Sequence, residues 1–301
     1  MTSEKFEACI ICGAIGDAWG SSYENEVQID TSKTYVLGGI SENKRIWSIT
    51  DDTQLTLASC EALIDSKDFS PALLSEYFVK YYKERKLTGI GASTLKAIRE
   101  LEEGGHWSQV GRSGEYAAGN GAAMRIAPFA FFKPISKEDI KAICKITHKN
   151  DEAYTGALAV VFSIKAIINN EWDGNNNLFD IIIAQLPDTR LRDRLIEINS
   201  MAENQTIYDI AKLGNNGYVV NSVPFAIFAA SQILKLGITK MFQTIIKSGG
   251  DTDTNSSIAG QIAGTLIGLD CIPNELLDQL KSLKEFSWIK EIIEKTKKRI
   301  K

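Results

Sequence analysis

Apolar residues recur at spacings of three and four along most of this chain, and strand-like alternation is scarce. That periodicity places one apolar stripe on each helix, so it commits the chain to packing helices against helices. It predicts helices over 6–14, 54–64, 71–82, 92–101, 137–146, 154–168, 221–236, 239–246, 257–269 and 274–280. Local punctuation agrees. Ser70-Pro71 and Ser136 with Glu138-Asp139 are N-terminal signatures, and Gly237 after Leu236 is a stop. The stretch 258–269 is apolar on nearly every side and belongs at the centre. With 44% hydrophobic residues among 301 and no Pro, Gly or Ser-rich linker, the chain reads as all-α, a single compact domain over 1–301.

A net charge of −4 gives no bulk attraction to nucleic acid or to an anionic membrane, and no run is long enough to span a bilayer. The lysines over 284–301 read as a solvated helix face. No secretory pattern opens the chain, so a cytoplasmic protein is expected. Cys9, Cys12, Cys60, Cys144 and Cys271 lie in apolar surroundings and are expected to be buried core thiols; the Cys9–Cys12 pair has no matching second pair.

Two acidic clusters carry the chemistry. Ser248-Gly249-Gly250-Asp251-Thr252-Asp253-Thr254-Asn255 offers a sharp turn and two carboxylates at the start of an apolar helix. Thr50-Asp51-Asp52-Thr53 opens a second such helix. Helix capping accounts for one or two acids, not for four. If the clusters meet, like charges that close need a cation between them. An all-oxygen donor set of carboxylates and hydroxyls suits Mg2+ or Mn2+ rather than zinc. An EF-hand loop starting at Asp251 fails, because Ser256 stands where glycine and Ile262 where glutamate is required. A DxDxT nucleophile loop fails at Asn255.

Polar, glycine-bearing interruptions supply the remaining candidates. Residues 16–24, read as lying just past the first helix, end in Glu24. Residues 104–121 end in Gly119-Asn120-Gly121 ahead of a helix-like 122–126, a form that can cradle phosphate or simply turn the chain. Of two histidines, His106 reads as exposed, and His148 closes a helix before the cap Asn150-Asp151. In 215–224, Tyr218 flanks a pocket or packs, and Pro224 marks the first turn of a helix.

Taken in order, GDAWGSSYE (16–24), TDDTQ (50–54), GNGAAMR (119–125), the His148 segment through Gly156-Ala157, GYVVNSVP (217–224) and GGDTDTN (249–255) resemble the ADP-ribosylglycohydrolase family. The resemblance implies an all-α orthogonal multi-helix bundle with a binuclear Mg2+ or Mn2+ centre. It implies that Thr50, Asp51 and Asp52 ligate from one side and Asp251, Asp253 and Thr254 from the other, with Asp253 as the bridge. Glu24 matches the family's movable acidic residue, and acid, base and gating ligand all stay open for it. With Asp52 and Asp253 it forms the expected catalytic set. Gly119, Asn120 and Gly121 would hold a pyrophosphate, with Met124 and His148 lining the cleft.

The implied reaction is hydrolysis at C1″ of an ADP-ribosyl group, releasing ADP-ribose from a modified protein or a small ADP-ribose conjugate, with ADP-ribosylated nucleic acid kept open. Arginine, serine, nucleobase and O-acetyl linkages stay open too. Ala117 and Ala118 stand where some relatives carry a Ser-Tyr pair that covers the adenine; Tyr116 is the nearest aromatic substitute. Two alternatives remain: a non-catalytic ADP-ribose-binding or crystallin-like member, and a metal-assisted phosphoesterase using the same residues.

Overall fold

Glycines on two distant helices let their backbones touch. In the computed structural model, a Cβ built on Gly16 would fall 2.2 Å from the carbonyl oxygen of Ser256, and one on Gly20 would fall 2.3 Å from that of Thr252. Reciprocally, a Cβ on Gly260 would meet Cys12 O at 2.4 Å and one on Gly264 would meet Ala8 O at 2.5 Å. As the numbers rise along one helix they fall along the other, so the two run antiparallel, in contact every fourth residue. Each glycine costs about 1 kcal/mol of helix propensity against alanine; the close approach is what that loss makes possible. The first helix therefore runs through Gly13, Gly16 and Gly20 to Ser21, where the sequence reading ended it at residue 14 and took 16–24 for a loop.

The structure describes residues 2–24, 46–66, 69–132, 135–201 and 205–300, with the backbone of two short strands, β1 (Thr34–Val36) and β2 (Gly39–Ser41). Its helices are α1 (Thr2–Ser21), α2 (Asp51–Asp65), α3 (Pro71–Lys83), α4 (Ala92–Glu102), α5 (Trp107–Val110), α6 (Lys137–Lys145), α7 (Asp151–Ile168), α8 (Leu178–Ile183), α9 (Arg190–Met201), α10 (Ile207–Ala211), α11 (Val219–Ser231), α12 (Ile233–Leu236), α13 (Ile238–Lys247), α14 (Thr252–Ile267), α15 (Asn274–Lys281) and α16 (Phe286–Lys297). Two-residue strands β3 (Arg112–Ser113) and β4 (His148–Lys149) pair in parallel. The fold is compact and all-α, and one continuous apolar cluster runs from Phe6 to Ile293. No helix among the described residues is long and apolar enough to cross a membrane.

α14 is buried along nearly its whole length, packed between α1, α7, α11 and α13, as its apolar sequence demands. Ser70 caps α3, Ser136 and Asp139 form a full capping box on α6, and Asn150 caps α7. Gly237 takes φ +73° and stops α12.

Elsewhere local reading and structure part. Pro224 sits inside α11 because the helix already starts at Val219, where Tyr218 O accepts from Asn221 N and Ser222 N. Residues 122–126 are not α-helical; the chain there passes through short 3-10 turns, Asn120–Ala122 and Ala127–Phe131. His148 lies in a strand, buried, and does not close a helix. The C-terminal lysines do lie on a solvated helix face, as read: Lys290 and Lys295 are exposed on α16, whose other face buries Ile289, Ile292 and Ile293. Cys271 is exposed while the other four cysteines are buried.

Candidate functional site

The acidic turn before α14 is built by two consecutive left-handed glycines, Gly249 at φ +69° and Gly250 at φ +80°. Asn215 pins this turn: its Nδ2 donates to Gly249 O at 2.7 Å, and its carbonyl accepts from Asp251 N at 3.0 Å and Asn255 Nδ2 at 2.6 Å. Asp251 occupies the cap position of α14 yet makes no side-chain cap bond. Its Oδ2 accepts instead from Asn120 Nδ2 at 2.6 Å. Helix capping therefore does not explain Asp251.

The opposing arm begins at Asp17, an internal residue of α1 with no exposure. Its carboxylate accepts from Thr50 Oγ1 at 2.7 Å, from Thr50 N at 3.0 Å, from Thr53 N at 3.1 Å and from Thr53 Oγ1 at 2.5 Å. Four donors fix the first turn of α2 against α1. Gln54 adds a clamp to the segment before α4: its Oε1 accepts from Thr88 N at 2.8 Å, and Asp51 N donates to Thr88 O at 2.8 Å. Gly91 N–H in turn supports the Asp51 carboxylate.

Where the arms meet, Thr254 Oγ1 donates to Asp52 Oδ2 at 3.1 Å. Asp17, Asp52 and Asp253 each offer an oxygen within 4.8 Å of the others, and so do Glu24, Asp251 and Asp253. Asp253 is common to both trios. Asp52 Oδ1 is buried with no hydrogen-bond partner among the described residues, a costly state for a carboxylate oxygen. The electrostatics match. Burial, then Asp17 and Asp253, raise Asp51 well above the usual aspartate range, and burial with Asp253 and Asp17 does the same to Asp52. Asp251 is pushed up to about 8, first by burial and then by Asp253. Asp253 rises to about 6, first by burial, with Glu24 and Asp17 adding repulsion. Glu24 is raised by burial and by Asp251. This donor set fits a hard divalent cation, whose charge relieves the repulsion and gives the orphaned oxygen a partner.

A cleft of about 450 Å³ opens over the carboxylates. Of the residues the resemblance assigns to metal, catalysis or substrate, Glu24, Asp51, Asp52, Gly119, Asn120, Gly121, Met124, His148, Asp251, Asp253 and Thr254 line it and Thr50 does not; Tyr218 packs against the core instead. Thr50 caps α2 and turns its hydroxyl to Asp17. Sequence reasoning missed Asp17, whose only signal was an acid inside an apolar helix. It also missed Gly91, Ala92, Ser93 and Thr94, where α4 opens on the cleft without a side-chain cap. Such a terminus, a plain helix start in sequence, presents unpaired N–H groups and a positive dipole end to an anion. Gly119 and Gly121 bracket His148: a Cβ on either would come within 3.1 Å of the imidazole. No Phe, Tyr or Trp among the described residues lines the cleft, and Tyr116, 83% exposed, stands outside it near Arg112.

The ADP-ribosylglycohydrolase family profile matches residues 1–301. ADP-ribosylhydrolase ARH3 of Danio rerio is 25% identical, over 91% of this chain and 85% of its own length. ADP-ribosylarginine hydrolase Tri1 of Serratia proteamaculans is 26% identical, over 96% of this chain and 78% of its own. The solved structure of an ADP-ribosylglycohydrolase-related protein complex superposes with a TM-score of 0.65 at 19% identity, covering 99% of this chain and 98% of that one, and so shares the fold. With the whole chain matched and both acidic arms facing one cleft, the protein belongs to the ADP-ribosylglycohydrolase family.

Proposed function

We propose that this chain is a metal-dependent hydrolase that cleaves the C1″ bond of an ADP-ribosyl group and releases ADP-ribose from a modified side chain or small conjugate. The observation that carries the reading is Asp253: it is the corner shared by two oxygen trios, beside the partnerless Asp52 Oδ1. Asp51, Asp52, Asp251, Asp253 and Thr254 would hold two Mg2+ or Mn2+ ions, with Asp253 common to both oxygen trios and Glu24 in the outer one. When bound, the ions polarise substrate oxygens and make water more acidic.

The protein's own groups do the rest. Asn120 holds Asp251, and the Gly119–Asn120–Gly121 turn with the α4 N-terminus supports binding of a pyrophosphate in the same cleft. Glu24, at the edge of the cleft and raised first by burial and then by Asp251, is suited to take and return a proton as the C1″ bond opens through an oxocarbenium-like transition state. With no aromatic lining the described cleft, pyrophosphate and ribose contacts take a larger share of recognition than adenine stacking.

The test is ADP-ribose release from arginine-linked and serine-linked peptides, O-acetyl-ADP-ribose and ADP-ribosylated nucleic acid, with Mg2+, Mn2+ or EDTA. The arginine linkage is included because one relative bears that activity in its name. Release abolished by EDTA supports the reading and identifies the linkage. Silence across the panel, with metal and ADP-ribose still binding, moves the protein to the non-catalytic binding class.

A further inference from the structure

Arg125 is fully buried and yet has no carboxylate within salt-bridge distance among the described residues. Its Nη1 donates to Gly121 O, its Nη2 donates to Thr147 Oγ1 at 2.7 Å, and its guanidinium lies 4.9 Å from the Phe78 ring centroid. A buried cation is expensive, so its placement calls for a reason. Thr147 Oγ1 is in turn 2.7 Å from His148 Nδ1.

Among the described residues, one arrangement leaves no hydroxyl hydrogen on this chain without a partner. A guanidinium only donates, so Thr147 Oγ1 is the acceptor of the Arg125 bond. The single hydroxyl hydrogen of Thr147 finds its acceptor, among the described residues, in His148 Nδ1. Nδ1 is then the unprotonated nitrogen, and the imidazole carries its hydrogen on Nε2. Nε2 makes no hydrogen bond among the described residues and lies beside the Gly119–Gly121 turn, on a residue that lines the cleft. We propose that Arg125 and Thr147 are positioning residues that lock His148 as the Nε2–H tautomer, so that this point of the cleft donates to a substrate oxygen and serves neither as base nor as metal ligand. In the ADP-ribosyl reading on which this inference rests, that oxygen belongs to the pyrophosphate.

Two further observations agree. Burial, then the charges of Arg125 and Arg112, push His148 down to about 3, so the ring stays neutral. Arg125 also grips Gly121 O, so the same guanidinium sets the glycine turn and the ring it wraps.

The experiment is long-range 1H–15N correlation on the Mg2+-loaded protein. With only two histidines, His106→Gln assigns the spectrum. The wild type should show Nδ1 unprotonated and Nε2 protonated. Thr147→Val keeps the side-chain volume and removes the hydroxyl; it should lose the single tautomer and weaken ADP-ribose binding about 5- to 30-fold. Thr147→Ser should keep both. Arg125→Met should lose the tautomer as Thr147→Val does; if it fails to fold, the Thr147 pair decides. A proton on Nδ1 in the wild type, or an unchanged ring in Thr147→Val, overturns the proposal. A locked ring released by Thr147→Val supports it even where ADP-ribose fails to bind, and it is then the ADP-ribosyl reading that falls.

Discussion

Asn120 donates its side-chain amide to Asp251 Oδ2 at 2.6 Å, joining two loops that lie 131 positions apart. The bond is the direct link between the glycine turn proposed to hold the substrate and the acidic turn proposed to hold metal. A hydrogen bond to a charged group contributes roughly 1.5–3 kcal/mol. Asn120→Ala should therefore lower kcat/KM about 10- to 100-fold, in KM as well as kcat, because both turns lose their register. Asn120→Asp should do worse, since it adds a carboxylate to a crowded site. Steady-state kinetics of both variants check this, and an Asn120→Asp variant as active as the wild type would sink it.

Asp253→Asn removes the corner common to the two trios while keeping its shape. Metal affinity should fall by at least about 10- to 100-fold, and hydrolysis with it, while far-UV circular dichroism stays helical. Calorimetric titration with Mn2+ measures the first and ADP-ribose release the second. Retained turnover at low metal removes Asp253 from the centre.

Glu24 stands at the rim, within oxygen reach of Asp251 and Asp253. Glu24→Gln keeps the hydrogen-bonding shape and loses the transferable proton. Its kcat should drop by about 100-fold or more, in the range general acid–base groups contribute, with ADP-ribose affinity within about 3-fold of wild type. An unchanged kcat would assign proton transfer to another group.

What the sequence made legible follows from where each signal is local. α6 was readable because its capping box, Ser136 with Asp139, and its buried stripe, Ile140, Ile143 and Cys144, all lie within nine residues of each other. The acidic arms were readable because four carboxylates exceed what helix ends require. α9 was not, since only Leu191, Leu195 and Ile198 are buried among charged neighbours. Gly16 and Gly20 misled for a physical reason: alone they weaken a helix, and only the carbonyls of α14 opposite them explain their presence. Asp17 was invisible for the same reason, because its partners Thr50 and Thr53 come from another helix.

The pH dependence of stability has a definite sign. Asp251 and Asp253 are raised from 3.8 to about 8 and about 6, mainly by burial. Below about pH 4 both folded and unfolded chains hold these protons. Between about pH 4 and 8 the unfolded chain has released protons that the folded, metal-free chain still binds, so stability falls as pH rises. Without divalent ions the Tm at about pH 8.5 should lie below that at about pH 5.5. Mg2+ or Mn2+ should raise it far more at the higher pH, because ligands bind metal deprotonated. Scanning calorimetry at both pH values decides; a metal-free Tm that climbs with pH would show that the buried acids are not strained.

The crossing of α1 and α14 carries Asp17 to Asp253, so the site depends on glycines that touch no substrate. Gly16→Ala separates two opposed effects. Helix propensity alone favours alanine by about 1 kcal/mol. The new methyl, however, would sit 2.2 Å from Ser256 O, a backbone atom that moves only with its helix. Overpacking of a close core costs roughly 1–3 kcal/mol, occasionally more, so the clash should win and the variant should be destabilised in urea. Parting the helices also pulls the inner trio apart, so Mn2+ affinity should fall although no ligand has changed. Gly91→Ala, at an open position with nothing within 4 Å, is the steric control: as the N-cap of α4 it should cost no more than about 1 kcal/mol and leave Mn2+ affinity unchanged. A stabilised Gly16→Ala would mean that the two backbones do not meet as closely as the crossing requires.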